Sequence, residues 1–301
     1  GEKINFFQDG EPNLIFYLDL VALGTVCDLV KIDHLNRAFI KQGLRILNHS
    51  PNLGVSSILK ESKIDSEVTD YHLGFIIGPR INAGGRVGKS SLGAELLLSN
   101  ENKIANVMAL RLGEFNNLRK KIEKAVEIKA IGMVHDNDQI ICVNSKNWHP
   151  GVIGIVASRL VEKFNRPSIV ISEDEKLCRA SCRSVLNFDI GDLIVKAVGE
   201  GLLLNGGGHK MAGGFTILKE NIEQFKDFLS DKYKKGASEI LKEYDYVLRI
   251  TNLNICLYDE VAKLSPFGPG NVKPRFLIKN CNLSFIKAVS YTHLRAHETN
   301  S

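Results

Sequence analysis

Gln139–Phe164, QIICVNSKNWHPGVIGIVASRLVEKF, changes its period in the middle. QIICVNS is a short continuous apolar run of the kind that fills a buried strand. Past Trp148 the apolar residues of PGVIGIVASRLVEKF recur at helical spacing behind Pro150, a residue preset for a first helical turn. A buried strand followed at once by an amphipathic helix predicts α/β architecture, and the alternation continues downstream. RPSIVIS (166–172) reads as a second apolar strand, LCRASCRSV (177–185) as an alternating one, and FDIGDLIVKAVGE (188–200) as a helix. FTI (215–217) reads as a strand and NIEQFKDFLSDKYKK (221–235) as a helix. An α/β domain over residues 137–235 follows.

Upstream lies the longest helical pattern of the chain, from Glu101 to about Met133, with Ile104, Met108, Phe115, Leu118, Ile122 and Val126 recurring every three or four residues. It is expected to connect two domains, with the boundary near Asp136. Before it, residues 14–30, 35–48 and 50–62 read as helices, and YHLGFIIGPRINAGGRVG (71–88) as an apolar helix entering a glycine-rich turn that carries Arg80, Asn82 and Arg86. After Tyr246 the pattern turns to short strands, YVLRITNLNI and PRFLIKNCNLSFI, interrupted by KLSPFGPGNVKP, which predicts a small β domain over 244–288. The final stretch VSYTHLRAHETNS (289–301) has neither period, resembles translated adapter sequence, and is expected to be non-native.

With 301 residues, 44% of them hydrophobic, the chain can bury more than one core. The opening GEKINFF lacks the apolar core of a signal peptide and no run reaches the length of a membrane span, so a cytoplasmic location is expected. Six scattered cysteines without a CxxC suggest neither a disulfide framework nor a zinc ribbon; Cys178 and Cys182 are the closest pair. The net charge of +5 tilts gently toward an anionic partner.

Five places could carry chemistry. Asp28 ends an apolar run, either as a helix or turn cap or as a metal ligand backed by packed structure; no neighbouring DxD or HxxxH accompanies it. In GPRINAGGR, two arginines flank an asparagine, a pattern that can present guanidinium forks and an amide to a phosphodiester, or else simply be a solvated turn. RASCRS sets Ser181 and Arg183 two apart on a strand, hence on one face, with Arg179 of the same parity; a phosphate grip and the polar outer face of a half-buried sheet both fit. LNGGGHKMAGG (204–214) fails the P-loop and dinucleotide-fold spacings, yet its glycines would let a backbone approach closely with His209 beside them. Trp148 in WHPG either stacks on a base or packs on a core.

Taken in order, LDLVALGTVCDLV with LNR, GPRINAGGRVG, WHPGVIGIVASRL, SCRS, GGGHKMAGG and PFGPGN resemble the RecJ family of single-stranded-DNA exonucleases within the DHH/DHHA1 phosphoesterase superfamily. The likeness runs from Leu14 to about Lys287. It implies the C-terminal helical part of a DHH domain (1–100), a connector helix (101–136), a DHHA1 domain (137–235) and a partial OB-like domain (244–288). It also implies metal-dependent 5′-to-3′ hydrolysis of single-stranded DNA with Mn²⁺ or Mg²⁺ in a two-metal site, most of whose ligands belong to DxD and DHH motifs that this sequence lacks. On the matching positions Asp28 would be a metal ligand and Arg80 a phosphate neutraliser, with Asn82 and Arg86 holding the strand. Ser181 and Arg183 would grip the terminal phosphate, and Gly206, Gly207, Gly208 and His209 would line the cleft. This chain alone would then be inactive. The resemblance leaves room for a helicase and a single-strand-binding protein as partners. Two competing readings are a phosphodiesterase of the same superfamily acting on short oligonucleotides or cyclic dinucleotides, and a module that binds single strands without cutting them.

Overall fold

The apolar side chains of the N-terminal part converge because its helices cross at close range, and small residues make that crossing possible: a Cβ on Gly43 would collide with the Leu18 carbonyl oxygen. The computed structural model describes residues 13–232, 243–281, 287–290 and 293–295. Its first part is helical: α1 (Leu18–Cys27), α2 (His34–His49), α3 (Leu53–Glu61), α4 (Asp70–His72), α5 (Gly78–Val87) and α6 (Leu92–Leu97). They enclose a core that includes Ile40, Leu47, Ile58, Leu73, Ile77 and Leu96. Asn52 starts α3, its Oδ1 accepting the Gly54 and Val55 amides at 2.9 and 3.3 Å. The buried Asp19 is satisfied by the Asn52 amide at 2.7 Å.

The glycine-rich stretch after Tyr71 is not a turn. A π-helical segment, Leu73–Ile77, runs directly into α5, so Arg80, Asn82 and Arg86 are all helical. Glycine inside a helix costs about 1 kcal/mol relative to alanine, and here it permits contact. A Cβ on Gly78 would collide with the Cys27 sulfur, and one on Gly84 would lie 2.7 Å from the Lys89 carbonyl oxygen.

The connector is one helix, α7 (Asn102–Ile131), of 30 residues. Of the expected apolar residues, Val126 is buried and Met108, Phe115 and Ile122 pack partly buried against the cores, while Ile104 and Leu118 are exposed; the rest of the buried seam is Ala105, Ala109, Leu112, Gly113, Asn116, Glu123 and Ala130. Small residues bring α7 close to α3 and α5 in its first half, and the second half packs on the next helix of the chain. That places polar Asn116 and Glu123 inside, where a hydrophobic pattern would not look. No described helix is long and apolar enough to cross a membrane.

Beyond it lies a five-stranded sheet of β1 (Ile141–Lys146), β2 (Ser168–Glu173), β3 (Leu177–Arg183), β4 (Asn205–His209) and β5 (Ala212–Leu218), in the order β1-β2-β3-β5-β4. The first pair is parallel and the others antiparallel. α8 (Pro150–Phe164) covers one face with Val126, Ala130 and Trp148. The other face carries α9 (Ile190–Gly199) and α10 (Ile222–Lys232), whose Phe225 packs in one core with Ile169, Ile171, Phe215 and Ile217 of the sheet. GGGH is therefore an edge strand in a hairpin, not a loop. Trp148 is core, only 4% exposed, which removes it as a base-stacking platform. Cys178 and Cys182 lie in the apolar core, where burial pushes the Cys182 thiol far up, so the pair is structural.

The C-terminal part is not all β. β6 (Tyr246–Leu248) pairs in parallel with β7 (Phe276–Ile278), and between them α11 (Ile255–Ala262) is capped by Asn254, whose Oδ1 accepts the Leu257 amide at 2.9 Å. The backbones of β8 (Lys287–Ser290) and β9 (His293–Arg295) form a short antiparallel pair; the rest of the stretch from Val289 onward lies outside the described residues.

PFGPGN clamps this part back onto the helical one. The Pro269 carbonyl accepts the Ile32 amide at 2.6 Å, Arg37 Nη2 donates to the carbonyls of Leu264 and Ser265 at 2.6 and 3.0 Å, and Asp70 accepts from Ser265 Oγ at 3.1 Å and the Phe267 amide at 3.2 Å. Asp70→Ala removes both acceptors at once. It is expected to cost about 1–3 kcal/mol locally and to speed hydrogen exchange at the Phe267 and Ile32 amides; unchanged protection would show that the clamp does not depend on Asp70.

Candidate phosphate-binding site

β3 alternates: Cys178, Ala180 and Cys182 point into the core, leaving Arg179, Ser181 and Arg183 on the opposite face. α8 lies directly above them. A Cβ on its Gly154 would lie 3.0 Å from Ser181 Oγ and 3.5 Å from Arg183 Nη2, so only glycine leaves that space open. The helix starts beside it at Pro150. His149 is the N-cap, its Nδ1 accepting the Gly151 amide at 3.0 Å, which assigns the ring proton of a neutral His149 to Nε2.

The helical domain reaches the same place through Arg86, whose Nη1 donates to the Gly151 carbonyl at 2.9 Å. Burial, and then the charge of neighbouring Arg183, push the Arg86 guanidinium below its ordinary range, with Glu123 acting in the opposite sense. Arginine remains charged there. Two residues from motifs about a hundred positions apart thus meet at one helix start, where the backbone dipole also favours an anion. Arg80 is committed differently. Its Nε pairs with Glu61 at 2.8 Å and its Nη1 donates to the Ile76 carbonyl at 3.1 Å, so its charge is already partly offset.

The ladder registers extend this face across the sheet. Ser181 lies opposite Gly214, which lies opposite Gly207; Arg183 lies opposite Ala212, which lies opposite His209. Directly opposed residues share a face, so Ser181 and Arg183 continue into a floor of Gly214, Ala212 and Gly207 ending at His209. A Cβ on Gly207 would meet nothing within 4 Å. Gly206 and Gly208 do not belong to that floor. By strand alternation they take the opposite face, and a Cβ on Gly206 would lie 2.7 Å from both Ile194 and Phe215, so these glycines admit α9 and the neighbouring strand instead of a ligand. His209 is exposed, with Nδ1 accepting the Met211 amide at 3.3 Å.

Asn82 is exposed and borders a shallow depression with Leu20, Leu23 and Cys27, on the side of α1. Asp28 follows that helix as its C-cap, its amide bonded to the Gly24 carbonyl at 3.0 Å and its side chain exposed. An exposed, hard carboxylate at the end of a packed helix fits one position of a Mn²⁺ or Mg²⁺ shell. No group of three possible ligands occurs among the described residues. The DxD spacing does occur at Asp136 and Asp138, but as a turn in which Asp138 Oδ2 accepts the His135 amide at 2.9 Å.

Four charged residues around the site escaped sequence reasoning: Arg119, Lys120 and Glu123 of α7, and Arg159 of α8. Glu123 pairs with Arg119 at 2.7 Å and with Arg159 at 3.6 Å. Burial, then the charges of Arg80 and Arg119, lower the pKa of Lys120. The four-residue spacing of Arg119 and Glu123 was visible, but such spacing on a long helix ordinarily marks a solvated face.

The DHHA1 domain model matches residues 137–235, which contain Ser181, Arg183, α8 and the glycine hairpin, and the RecJ OB domain model matches residues 244–300, which contain the PFGPGN clamp. The chain is 32% identical over 290 residues to the single-stranded-DNA-specific exonuclease RecJ of Bacillus subtilis, covering 92% of this chain and 37% of that protein. With the corresponding exonuclease of Dickeya dadantii it shares 35% identity, over 88% of this chain and 49% of that one. The chain belongs to the RecJ family.

The RecJ of Thermus thermophilus in complex with Mn²⁺ superimposes with a TM-score of 0.81 at 29% identity, over 89% of this chain and 40% of that one. Another RecJ exonuclease structure, bound to manganese, gives a TM-score of 0.65 at 30% identity, over 75% of this chain and 57% of that one. The chain thus spans well under two thirds of the RecJ relatives it matches. Its helical residues before Asn102 lie outside both domain matches, while the alignment to the Bacillus subtilis exonuclease covers 92% of the chain.

Proposed function

We propose that the whole protein is a metal-dependent 5′-to-3′ exonuclease on single-stranded DNA and that this chain supplies its terminal-phosphate grip and strand floor. The observation that carries this is the convergence of Arg86, Arg183 and Ser181 at the start of α8, above a glycine floor. Two guanidiniums and a hydroxyl suit a terminal phosphate, which carries nearly two charges near neutral pH where an internal diester carries one. Gly207 and Gly214 keep side chains off the path, so the nucleotides behind that phosphate can lie close to the sheet. Arg80, already paired with Glu61, has a guanidinium edge left to offset charge developing on the scissile phosphate. When bound, Mn²⁺ or Mg²⁺ supplies Lewis acidity and the hydroxide nucleophile, and Asp28 would hold one ligand position. A helicase and a single-strand-binding protein would deliver strands to it.

Fluorescence anisotropy of this chain with matched 5′-phosphorylated and 5′-hydroxyl single strands tests the grip. Tighter binding of the phosphorylated strand by about tenfold or more is expected, and the advantage should fade below about pH 6 as the phosphate takes up its second proton. Equal affinities at pH 8 would overturn it. Because one candidate carboxylate cannot build a two-metal centre, the chain alone is expected to release no nucleotides with Mn²⁺; robust release abolished by Asp28→Ala would count against that assignment.

A further inference from the structure

We propose that Glu123 is the positioning carboxylate of the phosphate grip: from the connector helix it fixes Arg119 and Arg159 and so keeps Arg86 and Arg183 together at the start of α8. This role rests on the proposed function, because it presupposes that the grip takes a phosphate.

Glu123 is a buried acid, 9% exposed, on a helix whose neighbouring polar residues mostly face solvent. Its two oxygens serve two different elements. Oε2 accepts from Arg119 Nη1 on the same helix at 2.7 Å, and Oε1 faces Arg159 Nε on α8 at 3.6 Å. Arg119 is held a second time, donating through Nη2 to Asn116 Oδ1 at 3.0 Å, while its Nε is buried without a partner. Arg159 also pairs with Glu162 at 2.9 Å, on the solvent side. Glu123 therefore joins the connector to the helix whose first turn receives Arg86 and whose Gly154 covers Ser181 and Arg183.

Charge makes this more than an interdomain ion pair. Like charges crowd here: Arg86 feels Arg183, and Arg119 feels both Arg86 and Arg159, while Glu123 acts on Arg86 and Arg119 in the opposite sense. Glu123 is the acid common to Arg86, Arg119 and Arg159. A grip that is already assembled needs no reorganisation when a phosphate arrives, and the remaining positive excess is what a terminal phosphate would offset. Without the carboxylate, the cluster gains net positive charge yet loses the group that holds its members in register. Simple electrostatics and positioning therefore predict opposite signs. Added positive charge alone would strengthen anion binding, whereas loss of positioning weakens recognition of the terminal phosphate in particular.

The test is the ratio of Kd for 5′-hydroxyl over 5′-phosphorylated single strands, measured on the 301-residue chain at fixed salt, with Tm recorded in parallel. Glu123→Gln keeps shape and removes charge; the ratio is expected to fall by about tenfold or more, and Glu123→Asp should restore part of it. Arg119→Lys keeps charge but loses the fork, should lower the ratio part-way, and decides the matter if Glu123→Gln does not fold. A ratio unchanged in both variants, or both affinities falling by the same factor alongside Tm, would overturn the role and leave a structural ion pair. A wild-type chain without any phosphate preference would sink the grip and this role with it, whereas a preference that survives the substitutions sinks this role alone.

Discussion

Arg183→Ala is expected to erase the discrimination between 5′-phosphorylated and 5′-hydroxyl strands. A hydrogen bond to a charged group contributes about 1.5–3 kcal/mol, which is about a tenfold to hundredfold loss in affinity for the phosphorylated strand alone. Arg183 suits the experiment because its structural commitments are small. Its one described side-chain bond runs from Nη1 to the adjacent Cys182 carbonyl at 2.8 Å, and it is only half-buried. Arg86→Ala would be a poorer probe, since it also breaks the bond to Gly151 that ties α5 to α8. Arg183→Lys should fall between wild type and alanine, since an ammonium retains the charge but not the planar fork. The strand affinities from anisotropy, compared at one salt concentration, decide the matter. An Arg183→Ala chain that keeps its preference would move the phosphate grip away from β3.

Ser181 and Arg183 could be placed on one face from sequence because strand alternation has only two outcomes, and β3 took the expected one. The α/β alternation, Pro150 at the start of α8 and the single connector helix were legible for similar reasons: each rests on a local period or a local backbone constraint. What was not legible depends on contact between distant elements. Glycine marks both turns and close approaches, and GPRINAGGR and GGGH were turns on local evidence alone. Only the positions of Cys27, Ile194 and Phe215 reveal that Gly78 and Gly206 serve packing. The connector's seam was legible only in part: Met108, Phe115, Ile122 and Val126 pack inward as their spacing suggests, but Ala105 and Ala109 contribute little to a hydrophobic pattern, although small residues are what bring α7 near α3 and α5. Glu123 was invisible for a related reason, since its second partner sits on another helix. The PFGPGN clamp joins residues 229 positions apart at Arg37 and Pro266, so no local pattern could announce it.

Gly151→Val should do the most damage to the fold, and it separates packing from recognition. A Cβ at Gly151 would overlap the Arg86 carbonyl oxygen and lie 3.0 Å from its carbonyl carbon. Both obstacles are backbone, so relief requires α5 and α8 to move apart. Overpacking of this kind costs about 1–3 kcal/mol, occasionally more, and the movement would also break the Arg86 bond and pull the two arginines apart. Lower Tm and lost phosphate preference should therefore appear together. Gly154 sits one turn further along the same helix and faces different atoms, the Ser181 hydroxyl at 3.0 Å and the Arg183 fork at 3.5 Å from a would-be Cβ. Side-chain ends can yield where a backbone cannot, so Gly154→Ala should change Tm little while occupying the space a phosphate needs. If Gly151→Val melts with wild type, the α5–α8 contact is absent in solution, and Arg86 is not part of the grip. If Gly154→Ala binds phosphorylated strands as wild type does, the phosphate does not enter beneath α8.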